Sequence, residues 1–479
     1  MLRLLAFSNL AVWLLLIVTT AAHAESPQPN ILFIFADDLT YESIHALGNE
    51  EIETPNLDRL VRSGTTLTHA YNQGGYHGAI CVASRTMLVS GRYLWFAQRL
   101  EKTIKQPAEV EKLWPRLMKK QGYDTYFTGK WHVKADPHKV FDIAEHIRGG
   151  MPKQTPEGYN RPIEGQPDKW SPSDPKFGGF WEGGKHWSEV VRDDTVGFLQ
   201  RAAKRDHPFF MYIAFNAAHD PRQSPQEYVD RYPLSKVKTP VNYLPEYPFK
   251  DQIGCGPSLR DEKLAPFPRT EYAVKVNRRE YYAITTHMDH QIGLILDALR
   301  KTGQADNTYI FFTADHGLSC GHHGLLGKQN MFDDSVRVPL IINGKGIKAD
   351  TRIDTPVYLQ DIAPTALELA GGSVPAHVQF KSLLPVLSGQ TTEQYDAIYG
   401  AYRDDMQRMI TDDGFKLILY PHVPKVLLFD LKTDTQEQHD LAEHAKHKPR
   451  IRKMFAKLRQ LQKETGDKLD LAAAFPELK

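Results

Sequence analysis

The sequence predicts an α/β protein with a large mixed, mostly parallel sheet sandwiched by helices, and a smaller C-terminal antiparallel sheet plus helix. Two observations predict this class. Between Pro29 and Gly372, short apolar runs alternate with helical patterns, which is typical of a parallel sheet covered by helices. From Ser373 onward, apolar runs follow one another across short turns. We therefore expect a main domain over residues 25–372 and a C-terminal α+β subdomain over residues 373–479.

Residues 1–24 have the pattern of a secretory signal peptide. Arg3 supplies the basic start, residues 10–18 are apolar, and Ala22-His23-Ala24 forms a small-residue cleavage motif. The alternative is an uncleaved membrane anchor, but the polar stretch after Ala24 favours cleavage. No later run is apolar enough to span a bilayer, so we expect a periplasmic or secreted protein without stable membrane insertion.

Charge and cysteine content narrow the class further. The chain has 59 Lys and Arg against 58 Asp and Glu, so it lacks the basic field of a nucleic-acid-binding protein. Its three cysteines, Cys81, Cys255 and Cys320, do not have the spacing of a disulfide framework, and pairing of Cys255 with Cys320 stays open. Cys81 follows a glycine-rich segment and is the first residue of "CVASRTMLVSGR", a basic helix pattern, so it needs its own explanation.

The elements of the main domain follow in order along the chain. "NILFIFADD" (30–38) is a strand that stops at Asp37 and Asp38, and 54–64 is a helix with Thr54 as N-cap, Pro55 in the first turn and Gly64 at its end. Further strands are predicted at 207–221, 307–317 and 336–344. Residues 150–190, rich in Gly, Pro and aromatic residues, are predicted to form a long surface loop.

The C-terminal segment is predicted to be a meander. "DAIYGAYR", "RMITDDGFKLILY" and "KVLLFDLKTD" form its strands, with a turn at Asp413-Gly414, and a helix is expected at about 446–464.

Three of the predicted strands end in Asp or His. The side chains are Asp37, Asp38, His219, Asp315 and His316. Ligands of open α/β sheets bind at the carboxyl ends of strands, so we expect these side chains to converge. A single Asp after a strand is explained by its preference for turns, but Asp or His at three strand ends indicates a ligand-binding site.

The types of these residues indicate a binding site for a metal ion and for an oxyanion. Asp37, Asp38, Asp315 and His316 suit a hard ion such as Ca²⁺ or Mg²⁺, although the histidine leaves Mn²⁺ and Zn²⁺ open. Lysine, arginine and histidine residues are predicted to surround them and to clamp a tetrahedral oxyanion such as sulfate or phosphate. Considered alone, a lysine or arginine is more often a solvated surface charge, and a histidine is more often a structural one. The candidates are Arg85, Lys130, His132, His219 and Lys328.

Cys81 and its neighbours identify a family. "CVASRTMLVSGR" resembles the C-x-[PA]-x-R signature of the formylglycine-dependent (type I) sulfatases of the alkaline-phosphatase-like superfamily. The resemblance extends in order through "NILFIFADD", "TPNLDRL", "TGKWH", "AAHDP", "TADHG", "LGKQNMFDDSVRVPLII" and "FDLKTDTQEQHDLA", and it covers nearly the whole mature chain. It is weaker at 93–110, 137–190 and 221–270, where such enzymes differ to suit their substrates.

The resemblance implies a modified cysteine and a metal. Cys81 would be oxidised to formylglycine (3-oxoalanine) by a sulfatase-maturing enzyme. One hydroxyl of the hydrated aldehyde would attack sulfur, and the other would let the bound sulfate be eliminated. One Ca²⁺ would be held by Asp37, Asp38, Asp315 and His316 together with residue 81. Asn is common in the family where this chain has His316.

The same resemblance assigns roles to the surrounding residues. Arg85 would hold the formylglycine hydroxyl, Lys130 and Lys328 the sulfate oxygens, and His132 would be the base of the elimination. His219 would protonate the leaving oxygen. Ala83 stands where proline is commonest. The aerobic maturase prefers that proline and radical-SAM maturases accept alanine, so maturation of this chain depends on the host.

The sequence thus predicts an exported sulfatase that hydrolyses sulfate monoesters on a polysaccharide or oligosaccharide. A bacterial carbohydrate sulfatase acting on a marine algal glycan such as ulvan, carrageenan or fucoidan is favoured. Tyr76, His77 and Arg403 are candidate substrate-binding residues. One alternative is a formylglycine-dependent phosphodiester or phosphonate monoester hydrolase. Another is a non-catalytic glycan-binding protein on a sulfatase scaffold.

Overall fold

The structure, a computed structural model, describes residues 28–479. The predicted signal peptide therefore lies outside the described residues. Within them, no helix combines the length and the apolar character needed to cross a membrane.

Fourteen strands form two sheets in the described chain. They are β1 (Asn30–Ala36), β2 (Thr65–Tyr71), β3 (Gly74–Gly75), β4 (Asp124–Lys130), β5 (Ile143–Arg148), β6 (Phe209–Ala214), β7 (Thr308–Ala314), β8 (Arg337–Asn343), β9 (Thr351–Ile353), β10 (Val357–Tyr358), β11 (Ile398–Tyr402), β12 (Gln407–Asp412), β13 (Phe415–Tyr420) and β14 (Lys425–Asp430).

The α-helices of the same residues vary widely in length. They are α1 (Pro55–Ser63), α2 (Ile80–Ser90), α3 (Leu94–Leu100), α4 (Pro107–Val110), α5 (Trp114–Lys120), α6 (Pro137–Val140), α7 (Trp187–Ala202), α8 (Gln226–Val229), α9 (Glu271–Lys301), α10 (Asp333–Val336), α11 (Ile362–Leu369), α12 (Leu384–Leu387), α13 (Lys448–Thr465) and α14 (Leu471–Ala474).

The large sheet confirms the predicted fold class. Its strand order is β10-β2-β8-β7-β1-β6-β4-β5, with β9 beside β2. β7, β1 and β6 are neighbours and run parallel, so their carboxyl ends lie at one edge. The predicted strand at 336–344 is confirmed as β8. It runs antiparallel to both β7 and β2, which makes the sheet mixed.

Two predicted elements differ in detail from the structure. The strand predicted at 207–221 ends as β6 at Ala214, and irregular backbone then leads to His219. The helix predicted at 54–64 is confirmed as α1, with Thr54 at the N-cap position. The Thr54 hydroxyl does not cap the helix, because it donates to Asp58 Oδ1 at 3.0 Å and accepts from the His45 amide at 2.9 Å.

The C-terminal meander is confirmed as β11 to β14, all antiparallel, followed by α13. The small sheet also contains a strand from far earlier in the chain, because β3 pairs in parallel with β11. A second hydrophobic cluster joins Ile80 and Met87 of α2 to Tyr399 and Leu417 of this sheet. Helix α2 therefore packs against the small sheet, while its Leu88 and Val89 belong to the hydrophobic cluster of the large sheet.

Residues 150–190 contain only short 3₁₀ turns before α7 begins at Trp187. This agrees with the predicted long loop.

Candidate active site

Cys81 lies in the first turn of α2, a helix in which every residue is buried. Its Sγ atom is 3.2 Å from Nδ1 of His132. Burial raises the pKa of the thiol, but the positive charges of Lys130 and Lys328 and the hydrogen bond with His132 outweigh it. The pKa therefore lies well below its ordinary value. The Cys81 sulfur atom is therefore enclosed at a position where the nearby lysines favour its thiolate form.

The predicted metal ligands do converge. One ligand atom from each of Asp37, Cys81, Asp315 and His316 lies within 4.8 Å of the others. Asp38 joins them, with Oδ1 3.2 Å from His316 Nε2 and its amide 3.3 Å from Asp315 Oδ1. The adjacency of β1 and β7 explains this, because both strands end at the same sheet edge.

The chemistry of this donor set fits a cation. Asp37 Oδ1 and His316 Nε2 are buried without a hydrogen-bond partner in the described chain, and an uncompensated buried polar atom is costly. Burial and the negative charge of Asp315 raise the pKa of Asp37 well above its ordinary value, although Lys130 opposes this. His316 Nδ1 lies 2.9 Å from the Gly317 carbonyl, which turns Nε2 toward the carboxylates.

Each of the three carboxylates is also matched by a buried cation. Arg85 Nε donates to Asp315 Oδ2 at 2.9 Å, and Lys130 Nζ forms an ion pair with Asp37. Lys328 Nζ lies 2.8 Å from Asp38 Oδ1. These cations come from α2, from the end of β4 and from a loop. Together they can bind an oxyanion while the carboxylates hold a metal.

His219 approaches the same place from beyond β6. Its Nε2 lies 2.9 Å from Lys328 Nζ. Its Nδ1 faces two acceptors, the Asp220 carbonyl at 2.8 Å and Asp220 Oδ1 at 3.0 Å, so Nδ1 carries a proton. Nε2 is therefore the ring atom that faces the centre of the site. Arg260 donates to Asp220 Oδ2 at 2.5 Å and also pairs with Asp261.

The loop that carries Lys328 is held by Glu262. The Glu262 carboxylate accepts from the amides of Leu326 at 3.0 Å and Gly327 at 2.9 Å, and it pairs with Arg269 at 2.6 Å. The Glu262 and Arg269 side chains have no solvent exposure. A buried ion pair of this kind fixes the backbone just before Lys328.

The candidate substrate-binding residues lie close to Cys81 in different environments. Tyr76 is buried, and its hydroxyl donates to Glu101 at 2.6 Å. The His77 side chain is 42% exposed. Arg403 Nη2 lies 3.7 Å from where a side chain on Gly78 would begin. His77 and Arg403 thus offer groups at the surface near Cys81, whereas the Tyr76 hydroxyl is already engaged.

Sequence reasoning missed Asp220, Arg260, Asp261 and Glu262. Asp220 directly follows His219, and that adjacency was an available signal. The other three lie in 221–270, where no local pattern marks a site.

All three cysteines are unpaired, with Cys320 in the core of the large sheet and Cys255 in that of the small sheet. The open Cys255–Cys320 pairing is therefore not formed.

Comparison with known proteins agrees with this site. A family model described as sulfatase matches residues 29–373, and one described as N-sulphoglucosamine sulphohydrolase, C-terminal, matches residues 321–464. An N-acetylglucosamine-6-O-sulfatase of Bacteroides thetaiotaomicron is 25% identical, over 92% of this chain and 88% of that protein. An ulvan-active sulfatase of Formosa agariphila is 24% identical, over 94% and 84%.

The fold has a solved counterpart as well. A phosphonate monoester hydrolase from Silicibacter pomeroyi superposes with a TM-score of 0.72 at 20% identity, covering 92% of this chain and 96% of that one. This likeness concerns the fold alone, whereas the sulfatase family model covers most of the sequence. The chain belongs to the sulfatase family and is a sulfuric ester hydrolase.

Proposed function

We propose that the protein is an exported carbohydrate sulfatase whose reactive group is formylglycine made from Cys81. The observation that carries this proposal is the position of Cys81. It lies among the potential metal ligands Asp37, Asp315 and His316, with its Sγ atom 3.2 Å from His132 Nδ1 and near the Lys130 and Lys328 cations. The hydrated aldehyde would supply one hydroxyl for attack on sulfur and another for release of the sulfate.

Asp37, Asp38, Asp315 and His316 would hold a Ca²⁺ ion, which would draw negative charge from the sulfate oxygens and neutralise the carboxylates. This assignment rests on the unpartnered Asp37 Oδ1 and His316 Nε2 and on the oxygen-rich donor set. Without an ion, Asp37 Oδ1 and His316 Nε2 would stay buried without a hydrogen-bond partner.

The remaining residues would bind the substrate and move protons. Lys130 and Lys328 would bind sulfate oxygens, and Arg85 would hold a hydroxyl at position 81. His132, with Nδ1 3.2 Å from Sγ, is within reach of a proton at that position. In its doubly protonated form, His219 would give its Nε2 proton to the leaving oxygen of a sugar and keep the proton on Nδ1; without a proton that oxygen is a poor leaving group.

Several observations support a sulfated sugar as the substrate. The relatives that resemble this chain include enzymes named for N-acetylglucosamine and for ulvan. The sequence begins with a secretory pattern, so a periplasmic or secreted enzyme would meet polysaccharides outside the cytoplasm. Algal glycans such as ulvan, carrageenan and fucoidan remain the favoured class, with His77 and Arg403 placed to contact the sugar.

The test combines mass spectrometry with activity. The chain is produced with and without a radical-SAM sulfatase-maturing enzyme, because Ala83 is a poor context for the aerobic maturase. The peptide containing residue 81 should become about 18 Da lighter, and activity on 4-nitrophenyl sulfate and on sugar sulfates should rise with the converted fraction. Full activity with an unmodified thiol, or a Cys81→Ser variant as active as the wild type, would exclude this mechanism.

A phosphodiester or phosphonate monoester hydrolase is the second candidate, because a phosphonate monoester hydrolase shares the fold at a TM-score of 0.72. Lysines and arginine would bind either oxyanion. Paired assays with sulfate and phosphonate esters separate the two, together with determination of the bound metal, since His316 also admits Mn²⁺. Higher kcat/KM on phosphonate than on every sulfate ester would favour this second candidate.

A further inference from the structure

The Asp220 carboxylate lies between the His219 ring and the Arg260 guanidinium. Its Oδ1 atom is 3.0 Å from His219 Nδ1, and its Oδ2 atom accepts from Arg260 Nη1 at 2.5 Å. The side chains of His219 and Asp220 are almost completely buried, whereas that of Arg260 is 36% exposed. One carboxylate thus joins a buried histidine of the active site to an arginine that reaches the surface.

This carboxylate is ionised in the folded protein. Burial raises the pKa of Asp220, but the positive charges of Arg260 and His219 outweigh burial and hold the pKa well below its ordinary value. An ionised carboxylate only accepts hydrogen bonds, so it can serve both of its neighbours at once. Its bond to the His219 ring is also stronger than the bond of the Asp220 carbonyl to the same Nδ1 atom, because the acceptor is charged.

Arg260 is itself held by the segment that carries Lys328. The guanidinium pairs with Asp261, and Asp261 Oδ2 accepts from Gln329 Nε2 at 2.6 Å. Gln329 Oε1 in turn accepts from the Lys328 amide at 2.9 Å. A connected series of side chains therefore stands behind both His219 and Lys328, which face each other in the site.

The first residues of loop 150–190 meet Arg260 as well. The Met151 sulfur contacts the guanidinium, and the Asn160 amide donates to the Lys263 carbonyl at 2.6 Å. Segments 151–160 and 260–263, which are far apart in the chain, thus come together at the arginine that holds Asp220.

We propose that Asp220 is a positioning residue for His219, and that Arg260 fixes Asp220 in this role. The inference rests on the proposed function, in which His219 protonates the leaving oxygen. When the S–O bond breaks, its electron pair stays on the leaving oxygen, which takes the proton from Nε2, and Nδ1 keeps its own. A ring that is fixed at Nδ1 directs Nε2 to one place, as transfer to one particular oxygen requires.

The test measures how the rate depends on the leaving group. The kcat and KM of each variant are determined on 4-nitrophenyl, 3-nitrophenyl and phenyl sulfate, whose leaving oxygens are increasingly basic and increasingly need a proton. Rates are normalised to the fraction of residue 81 that is converted to formylglycine. An Asp220→Asn side chain must turn its NH₂ group toward either the Nδ1 proton or Arg260, so it cannot accept from both.

We expect Asp220→Asn to lower kcat on phenyl sulfate by about tenfold to a hundredfold, with little change on 4-nitrophenyl sulfate and in KM. The loss should be smaller than that of His219→Ala, because the Asp220 carbonyl still accepts from Nδ1. Arg260→Gln should act in the same direction, and Arg260→Lys should recover part of the loss. These two variants test the inference on chains that keep Asp220.

A double variant shows whether Asp220 acts through His219. His219→Ala combined with Asp220→Asn should have the leaving-group dependence of His219→Ala alone, because a positioning residue has no effect once the positioned ring is absent. The control is Asp168→Asn, which removes another carboxylate paired with an arginine, Arg161, and should leave all three rates unchanged.

Three results would contradict the inference. Equal losses on all three aryl sulfates in Asp220→Asn and Arg260→Gln, or additive losses in the double variant, would overturn the positioning role while His219 kept its own. An unchanged leaving-group dependence in His219→Ala would instead overturn the acid role of His219 in the proposed function, and the positioning role with it.

Discussion

His219 shows how much of this site depends on the immediate neighbours of one residue. Its Nδ1 atom faces the carbonyl and the carboxylate of Asp220, so the orientation of the ring is fixed and Nε2 faces Lys328. Arg260 in turn holds the Asp220 carboxylate. A histidine with a fixed ring can protonate one particular atom of a bound substrate.

We expect His219→Ala to impair sugar sulfates far more than aryl sulfates. A sugar alkoxide needs a proton in order to leave, whereas the 4-nitrophenolate ion does not. General acid catalysis is typically worth about 10²- to 10⁴-fold, so kcat on the sugar sulfate should fall by that factor. The measurement is kcat on both substrates with one enzyme preparation. Equal losses on the two substrates would remove His219 from this role.

At the scale of single elements, the start of α1 depends on a distant side chain. Thr54 occupies the N-cap position, yet its hydroxyl bonds elsewhere. Asp289 of α9 instead accepts from the Leu57 amide at 2.7 Å and the Asn56 amide at 3.2 Å. Burial raises the pKa of Asp289 to about 6, although these hydrogen bonds oppose the shift.

This pKa gives a prediction for stability against pH. Because the folded-state pKa lies above the unfolded value of about 3.9, the folded state holds the proton more tightly. The contribution of Asp289 is complete below about pH 4 and is lost as the pH rises through about 6. Relative to Asp289→Asn, the wild type should lose about 2–3 kcal/mol of unfolding free energy between pH 4 and pH 7.

Urea unfolding of both proteins across this range provides the measurement. Other titrating groups are common to both proteins, so the difference between the two curves isolates Asp289. Parallel curves would show that folding does not raise the pKa of Asp289.

At the scale of the whole molecule, strand order brings the charged residues together. β7, β1 and β6 are neighbours although about a hundred or more residues separate them in the chain. Their carboxyl ends therefore deliver Asp37, Asp38 and Asp315 to one point, and His219 reaches it beyond β6. The site forms only when the complete sheet has formed.

We expect Asp37→Ala and Asp315→Ala to abolish activity, and excess Ca²⁺ to rescue neither. Each change removes a ligand shared with the rest of the cluster. An ion at a hundred times its Kd stabilises a fold by about 2.7 kcal/mol, so Tm should fall in both variants and, in the wild type, after chelation. Asp306→Ala is the control, because Asp306 is exposed at the opposite end of β7. An active Asp315 variant would contradict the convergence.

The shared small sheet leads to a second prediction at this scale. Residues 28–372 produced alone would lack β11, which pairs with β3, and the rest of the small sheet, which packs against Ile80 and Met87. We expect this fragment to show no cooperative unfolding, because apolar surface beside Cys81 would be exposed. A full chain cleaved at a protease site inserted at the exposed Gln390 is the control, and its pieces should stay associated in size-exclusion chromatography. An independently folded, active 28–372 would disprove this coupling.

The sequence by itself determined the family, the fold class, most strands and the residue types at the strand ends. It could do so because apolar periodicity and turn residues act locally, and because the sulfatase motifs are contiguous segments. Asp37, Asp38, Cys81 and Asp315 were for this reason named before their distances were known.

Only the tertiary structure decided which side chains touch. Arg85 meets Asp315 across 230 positions of sequence, and Lys328 meets Asp38 across 290. Glu262, Arg260 and Asp289 act through such long-range contacts, and no local pattern marks them. The reason is physical: periodicity encodes the conformation of a segment, whereas strand order and loop paths decide which segments meet.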